Sequence, residues 1–383
     1  MIYLDNNAST KMDPEVEAAM REASGFYGNP SSVHGEGRRA RRMIEEARDE
    51  TARLIGASPE EIFFTSGGTE ANAMAIFGAT AGRRGRAVRS GAEHPSVRET
   101  VDSLCSQGIQ TAVVNPEPSG VLDPARVEEA LAPAALLVSV MAANNEYGGL
   151  FPIPRLAAAI HGCGALFHTD AVQAAGRIPI DVEAWDVDLL SLSAHKFHGP
   201  KGAGALYVRK GVSLQARTAG GGQEKKLRAG TENTAGIVGL GVAARLACQR
   251  LDEAIGIASL RDRLEKGILE RLERARVVGW GAPRLPNTSA LLFEGLSGEA
   301  LLARLDLEGV AVSVGSACSS GTLTPSPAIL SLGLPPSEAK SVVRFSLSRL
   351  TTQEVIDSVI EIVARVVGEA RQLGGPSSVR REA

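Results

Sequence analysis

The chain has 383 residues, a formal net charge of −3, and 44% hydrophobic and 22% charged residues; this is the composition of a soluble globular protein too long for one core, so a large domain plus a smaller one is expected. The charge gives no basic field for nucleic acid and no membrane-surface signature, and no apolar run approaches spanning length. MIYLDNNAST lacks a basic leader region, so a cytoplasmic location is expected. Four cysteines without paired spacing, Cys105, Cys163, Cys248 and Cys318, read as free thiols rather than a disulfide framework.

IYLDNNAST reads as a short strand ending in a polar turn, after which Asp13-Pro14 opens a helix with Glu15 and Glu17 near its positive end. The loop FYGNPSSVHGEG leads to a helix whose apolar face is Ala40, Met43, Ile44, Ala47, Leu54 and Ile55. Arg41 and Arg42 stand one helical turn before Glu45 and Glu46, so the arginine run there reads as a solvated face rather than an anion patch. EIFFTSGGTEAN then passes from strand through a glycine turn into a helix start. Unpaired first-turn N–H groups and the helix dipole suit a phosphate at Gly68 and Thr69, with an ordinary capped turn as the competing reading.

From there strand-like and helix-like segments alternate. RAVRSGAEHPSV ends near His94, ALLVSVMAANNEYG breaks at Asn144-Asn145, ALFHTDAVQAAG at Asp170 and DLLSLSAHK at Lys196, with helical SVRETVDSLCSQG and IPRLAAAIHGCG between them. The pattern predicts an α/β fold with βαβ units and a mostly parallel sheet. His94, Asn145, Asp170, Gln173 and Lys196 then fall at or just beyond the carboxyl ends of strands, where such sheets bind ligands. Only a short turn separates GALYVRK from the lysine strand, which predicts an antiparallel last strand. After the glycine loop GGGQEKKLRAGTEN come two long helices, then strand-like VVGW, NTSALLFEGL and RFSLSRLT with helices EALLARLDLEG and TQEVIDSVIEIVARVVGEARQL. This last region predicts a smaller α+β domain, with a boundary near residue 250 and a frayed polar tail over residues 372–383.

Pyridoxal phosphate asks a protein for an amine, a carboxylate for the ring nitrogen, a phosphate cradle and a group over the ring. Lys196 supplies the amine for a Schiff base, Asp170 the carboxylate, Gln173 a hydrogen bond to the ring hydroxyl and His94 the stacking ring. Gly68, Thr69, Ser193 and His195 are the candidate phosphate holders. A metal reading built on His168, His195 and His198 is the weaker competitor, because the spacings fit no standard ligand set. Cys318 lies in VSVGSACSSGTLTPSP, a run too irregular for helix or strand, and reads as a reactive nucleophile. Cys105, Cys163 and Cys248 sit on apolar periodic segments and read as packed small hydrophobes. Arg344, among apolar strand residues, suits a bidentate clamp on a substrate carboxylate, with a structural ion pair as the alternative.

With these residues in place the chain closely resembles the cysteine desulfurases of the NifS and IscS type, within the class V aminotransferase family of pyridoxal phosphate enzymes. The strings that carry the resemblance are YLDNNAST, YGNPSSVHGEG, FTSGGTEAN, EHPSV, ANNEYG, FHTDAVQAAG, LSLSAHKFHGPKG, GGGQE, GTEN, GSACSSG and RFSLSR. The resemblance implies a fold-type I homodimer, with a large domain at residues 15–250 and a small domain joining residues 1–14 to 251–371. It implies that Thr231 reaches the phosphate of the other subunit, and that Asn145 and Arg344 bind the carboxylate of L-cysteine. Lys196, once freed, moves protons, and the Cys318 thiolate takes the substrate sulfur as a persulfide destined for an acceptor such as an iron–sulfur scaffold protein. No resident metal is expected, Cys318 serving at most as a transient iron–sulfur ligand. Departures are Thr324 and Pro327 in the stretch after Cys318, Val314 where a serine is common, and Tyr147 and Gly149 after Asn-Asn-Glu. A selenocysteine lyase or other β-eliminating class V enzyme is the competing enzymatic reading, and a catalytically silent scaffold the non-enzymatic one.

Overall fold

Short β-branched, aromatic and leucine-rich runs set the strands of this computed structural model, which describes residues 1–132, 135–315 and 324–373. In chain order they are β1 (Ile2–Tyr3), β2 (Ile62–Thr65), β3 (Arg86–Ser90), β4 (Gln110–Val114), β5 (Ala135–Ser139), β6 (Leu166–Asp170), β7 (Leu189–Ser193) and β8 (Gly204–Val208). They continue with β9 (Ala275–Val277), β10 (Thr288–Phe293), β11 (Val310–Ala311) and β12 (Val342–Ser346). Cys318 and the tail beyond residue 373 lie outside the described residues.

The main sheet has the order β2-β8-β7-β6-β5-β3-β4. Strands β7, β6, β5, β3 and β4 pair in parallel, whereas β8 runs antiparallel to both β7 and β2, as the short turn before GALYVRK predicts. Every residue of β5, β7 and β8 is buried, the signature of strands covered by helices on both faces. Because β2 shares the direction of the parallel strands, the carboxyl ends of β2, β3, β5, β6 and β7 open on one edge. That edge is the site.

The first helix caps as the sequence suggests, Asp13 accepting from Glu15 N at the start of Pro14–Ser24, and the next begins within the stretch read as loop, His34 Nδ1 accepting from Gly37 N at the start of Gly35–Ile55. Arg41 pairs with Glu45 one turn on, in keeping with a solvated face. A second sheet, β12-β10-β9, is antiparallel, and β1 adds in parallel to β11. A separate core gathers around these strands, with Leu264, Leu291, Val343, Phe345 and Val359, and it includes Leu4 from the N-terminal segment. Residues Asn6 to Thr10 continue from there across to β7, where Thr10 N donates to His195 O at 2.9 Å.

The glycine loop before Thr231 carries three consecutive left-handed residues, Glu224, Lys225 and Lys226, with φ of 42°, 52° and 69°. Such geometry is costly outside glycine and persists only where the surroundings over-determine it. Here the buried Glu224 carboxylate accepts from Arg48 Nη1 (2.9 Å), Arg48 Nη2 (2.8 Å) and Phe64 N (2.8 Å), tying the loop to β2.

Two cysteine expectations need correction. Cys105 and Cys163 are exposed rather than packed, and Cys248 is only partly buried. The apolar periodicity runs past the helix ends in both cases: Cys105 falls in the turn Leu104–Gln107 and Cys163 follows the helix Ile153–Gly162, its thiol donating to Ile160 O at 3.1 Å.

Candidate active site

Five loops leave the carboxyl edge of the sheet, and each brings one part of the constellation. After β2, Gly67 takes φ 155°, a conformation open only to glycine, and starts the helix Gly68–Thr80 with no side-chain cap. A Cβ on Gly204 of β8 would approach Gly67 Cα to 2.6 Å, and one on Gly68 would meet Val172 Cγ2 at 2.8 Å. The helix start is therefore pressed into the sheet, its first-turn amides free of any cap and Thr69 exposed beside them. Gly68→Ala overpacks this joint, and a loss of about 1–3 kcal/mol of stability is expected, read as a lowered denaturant midpoint of the cofactor-free protein.

After β3, His94 caps the helix Pro95–Ser103, its Nδ1 accepting from Ser96 N at 3.1 Å and meeting Ser96 Oγ at 2.8 Å. Burial lowers its pKa, with the charges of Lys196 and Arg98 acting in the same direction against Asp170. The ring is thus a neutral imidazole with its remaining nitrogen unclaimed by the cap, suited to lie against an aromatic ring. Asp170 ends β6 and is 4% exposed. Its Oδ1 accepts from Val172 N (2.9 Å) and its Oδ2 from Asn72 Nδ2 (2.7 Å), while Asn72 Nδ2 also reaches Ser96 Oγ (2.8 Å). One asparagine therefore links the carboxylate to the histidine cap. A carboxylate has about four lone-pair positions, so room remains for a ring N–H.

Lys196 lies in the tight turn Ala194–Lys196 after β7. Its Nζ donates to Asn7 O (2.6 Å) and Ala8 O (3.0 Å) of the N-terminal segment, and no carboxylate pairs with it among the described residues. Burial, then the guanidinium groups of Arg177 and Arg344, pull its pKa down to about 8. Ser193, at the end of β7, is buried. His195 turns Nδ1 toward Ser9 Oγ (3.3 Å), and burial with the neighbouring cations holds its pKa at about 4.

Gln173 is buried with its amide already engaged: Nε2 donates to Asn7 O at 3.0 Å and Oε1 accepts from Arg177. Asn145 follows β5, and its backbone oxygen accepts from Asn7 Nδ2 (3.0 Å) and Arg344 Nη1 (2.8 Å). Arg344 Nη2 pairs with Asp5 Oδ1 at 2.6 Å, which realises the ion-pair reading, while the buried Arg344 Nε has no partner among the described residues. Thr231 is exposed and bonds to none of these residues among those described. The competing metal reading finds no support: His168 is fully buried between Ser139 Oγ (2.8 Å) and Ser191 Oγ (3.1 Å), and no metal-holding cluster occurs among the described residues.

Several neighbours of the site were given no role by the sequence reading, although Asn7, Asn72 and Glu93 stand in strings quoted above. Asn7, Asn72 and Arg177 are such residues, and so is Glu93, a 2%-exposed acid that accepts from Ser90 Oγ and Met141 N. Burial raises the Glu93 pKa to about 8. The donor set as a whole fits a phosphorylated pyridine aldehyde: an uncapped helix start pressed against the sheet, a buried carboxylate with spare acceptor capacity, a neutral histidine and an amine of lowered pKa.

Comparison with known proteins gives the family. Residues 2–359 match the family described as aminotransferase class V. The chain is 47% identical over 377 residues to the cysteine desulfurase of Cereibacter sphaeroides, covering 97% of each chain. Among solved structures it is similar to a NifS-like protein, with a TM-score of 0.89 and 34% identity over 96% of this chain and 99% of that one. It is also similar to SspA in complex with cysteine, with a TM-score of 0.81 and 33% identity over 92% of this chain and 100% of that one.

Proposed function

Because the chain belongs to the class V aminotransferase family, we propose that it is a cysteine desulfurase using pyridoxal phosphate, which takes sulfur from L-cysteine and leaves L-alanine. Its mostly parallel sheet with one antiparallel strand is of the fold-type I kind found in NifS-like structures. The observation that carries the reading is the convergence of Lys196, Asp170 and His94 from separate strands on one sheet edge. The alternatives of a selenocysteine lyase and a silent scaffold are not favoured beside relatives named cysteine desulfurase over nearly the whole chain.

When bound, pyridoxal phosphate withdraws electrons from the bonds at the substrate's α-carbon. The protein's own groups do the rest. Gly68 and Thr69, with Ser193 and His195, hold the phosphate, and Thr231 of a second copy completes that cradle in a homodimer. Asp170, fixed by Asn72, would hold a proton at the ring nitrogen, His94 would cover the ring and Gln173, whose amide already bonds Asn7 and Arg177, would lie beside its hydroxyl. Asn145 and Arg344 orient the carboxylate of L-cysteine, Arg344 exchanging its contact with Asp5 for the substrate. Lys196 Nζ, close to half-deprotonated near pH 8, holds the cofactor at rest and then carries protons at the substrate's α-carbon.

The Cys318 thiolate attacks the substrate sulfur, the carbon–sulfur bond breaks, and its electron pair stays with the carbon, which takes up a proton. The balance is L-cysteine plus protein thiol giving L-alanine plus protein persulfide, with the thiol oxidised and the carbon reduced. The persulfide then passes to a sulfur-acceptor protein. We infer a division into a large domain at residues 15–250 and a small domain of residues 1–14 and 251–371, and a cytoplasmic setting. Among the described residues no helix is long and apolar enough to cross a membrane.

Incubation with L-cysteine and a thiol reductant is expected to yield alanine and sulfide in equal amounts. Turnover confined to selenocysteine, or sulfide without alanine, would overturn the proposal.

A further inference from the structure

The turn that follows β5 does more than present Asn145. Asn144 Oδ1 accepts from the N–H groups of Glu146 (2.8 Å) and Tyr147 (2.9 Å), closing a side-chain-stabilised turn. The turn sends the Glu146 side chain inward, where the residue is 8% exposed and Oε2 has no hydrogen-bond partner among the described residues. Ser326 lies beside the same carboxyl group and pulls its pKa down against burial. A Cβ on Gly315 would lie 2.0 Å from Glu146 Oε2, 3.0 Å from its carboxyl carbon and 3.0 Å from Ser326 Cβ. The carboxyl group is therefore wedged between Gly315 and Ser326, in space that exists only because residue 315 has no side chain. These two residues stand on either side of Cys318 in the sequence.

The same stem is tied to the substrate-binding face by a second route. Ser313 and Arg344 exchange backbone hydrogen bonds of 3.1 and 2.7 Å, while the Arg344 guanidinium reaches Asn145 O at 2.8 Å. Asn145, Arg344, Glu146, Gly315 and Ser326 thus form one connected cluster.

We infer that Glu146 is a positioning residue for sulfur transfer: its carboxyl group clamps Gly315 and Ser326, the two ends between which Cys318 lies, to the turn that carries Asn145. The inference rests on Cys318 being the sulfur-accepting nucleophile. Burial raises the Glu146 pKa to about 7, against the opposing pull of Ser326, Arg344 on β12 and Arg98 on the helix Pro95–Ser103. Tyr147 on the same turn and Glu93 near β3 also face this region. Below that pH the group is a neutral carboxyl. Above it the clamp must hold a buried anion with one oxygen unpartnered, which strains the contact with Gly315.

The test is single-turnover kinetics of the cofactor-loaded enzyme with L-cysteine. It reads the Cys318 persulfide by mass spectrometry of the peptide and substrate binding by the cofactor absorbance change. Glu146→Ala is expected to slow persulfide formation by about tenfold to a hundredfold, the scale of a small misplacement of a reacting group, with L-cysteine binding unchanged. Glu146→Gln keeps the size and shape of the side chain but does not titrate, so it retains most of the rate and loses the decline expected of the wild type as pH rises through about 7. Gly315→Ala, whose methyl displaces the carboxyl, reproduces the Glu146→Ala defect and adds little to it in the double variant. An unaltered rate in Glu146→Ala, or a fall matched by lost L-cysteine binding, overturns the inference. Cys318→Ala in parallel separates the two readings. Undiminished persulfide there removes the nucleophile assignment, whereas an inert Cys318→Ala beside a fully active Glu146→Ala removes the clamp alone.

Discussion

Lys196→Ala is expected to fold normally yet lose the covalent link to the cofactor, with turnover falling about a thousandfold or more, since the same amine also serves as the proton carrier. The structure supplies the reason that this lysine is suited to the task. Its Nζ is pinned by Asn7 O and Ala8 O, two neutral acceptors. Burial and the nearby arginines then lower the pKa to about 8. Only the free amine attacks an aldehyde. The rate of cofactor capture by the cofactor-free protein should therefore rise with pH and level off above about 8, whereas an ordinary lysine would keep gaining until about 10.4. Absorbance stopped-flow across that range measures it, and borohydride fixation followed by peptide mapping locates the lysine. A label on another lysine, with activity retained in Lys196→Ala, would overturn the assignment.

How much of this was legible in the sequence follows from where the information lies. Strand ends were readable because LLSLS and LFHTD are short buried or nearly buried runs that lead within a few residues to His195-Lys196 and to Asp170 and Gln173, and parallel strands bring all such endings to one edge. The edge strand β4 was not read, since QTAVV buries only its last residue and alternates weakly. What the supporting residues contact was invisible for another reason. Asn72 meets Asp170 across 98 positions and Asn7 meets Thr288 across 281, and such contacts leave no local pattern. Arg344 shows the limit of residue type as a guide: a substrate clamp and a structural ion pair were both open from the sequence, and in the protein its guanidinium pairs with Asp5. Cys105 and Cys163 show the limit of periodicity, which marks a helix face but not where the helix stops.

The N-terminal segment acquires its meaning only in three dimensions. Asn7 alone contacts Lys196 Nζ and Gln173 Nε2 through its carbonyl, and Asn145 O and Thr288 Oγ1 through its side chain. The lysine, the turn that carries Asn145 and the second sheet therefore share a single strap, and a shift of one is felt by the others.

Cys318→Ala should bind the cofactor and L-cysteine normally but form no persulfide, since Lys196, Asn145 and Arg344 stand apart from the thiol in sequence and keep their contacts. Removal of a nucleophile can cost up to about a millionfold in turnover where its partners act as a unit with it. Cys105 and Cys163 offer no substitute. Cys105 lies past the far end of the helix that His94 caps, about 15 Å along at 1.5 Å per residue. Cys163 precedes β6 at the edge of the sheet opposite Asp170, about 16 Å away by strand rise. Both are exposed and open to thiol reagents, so labelling alone does not identify the sulfur carrier. The decisive measurement is a gain of one sulfur atom on the Cys318 peptide after a single turnover, absent from Cys318→Ala. A persulfide formed at wild-type rate on Cys105, Cys163 or Cys248 in that variant would mean that the sulfur leaves the site by a route the sheet geometry does not provide.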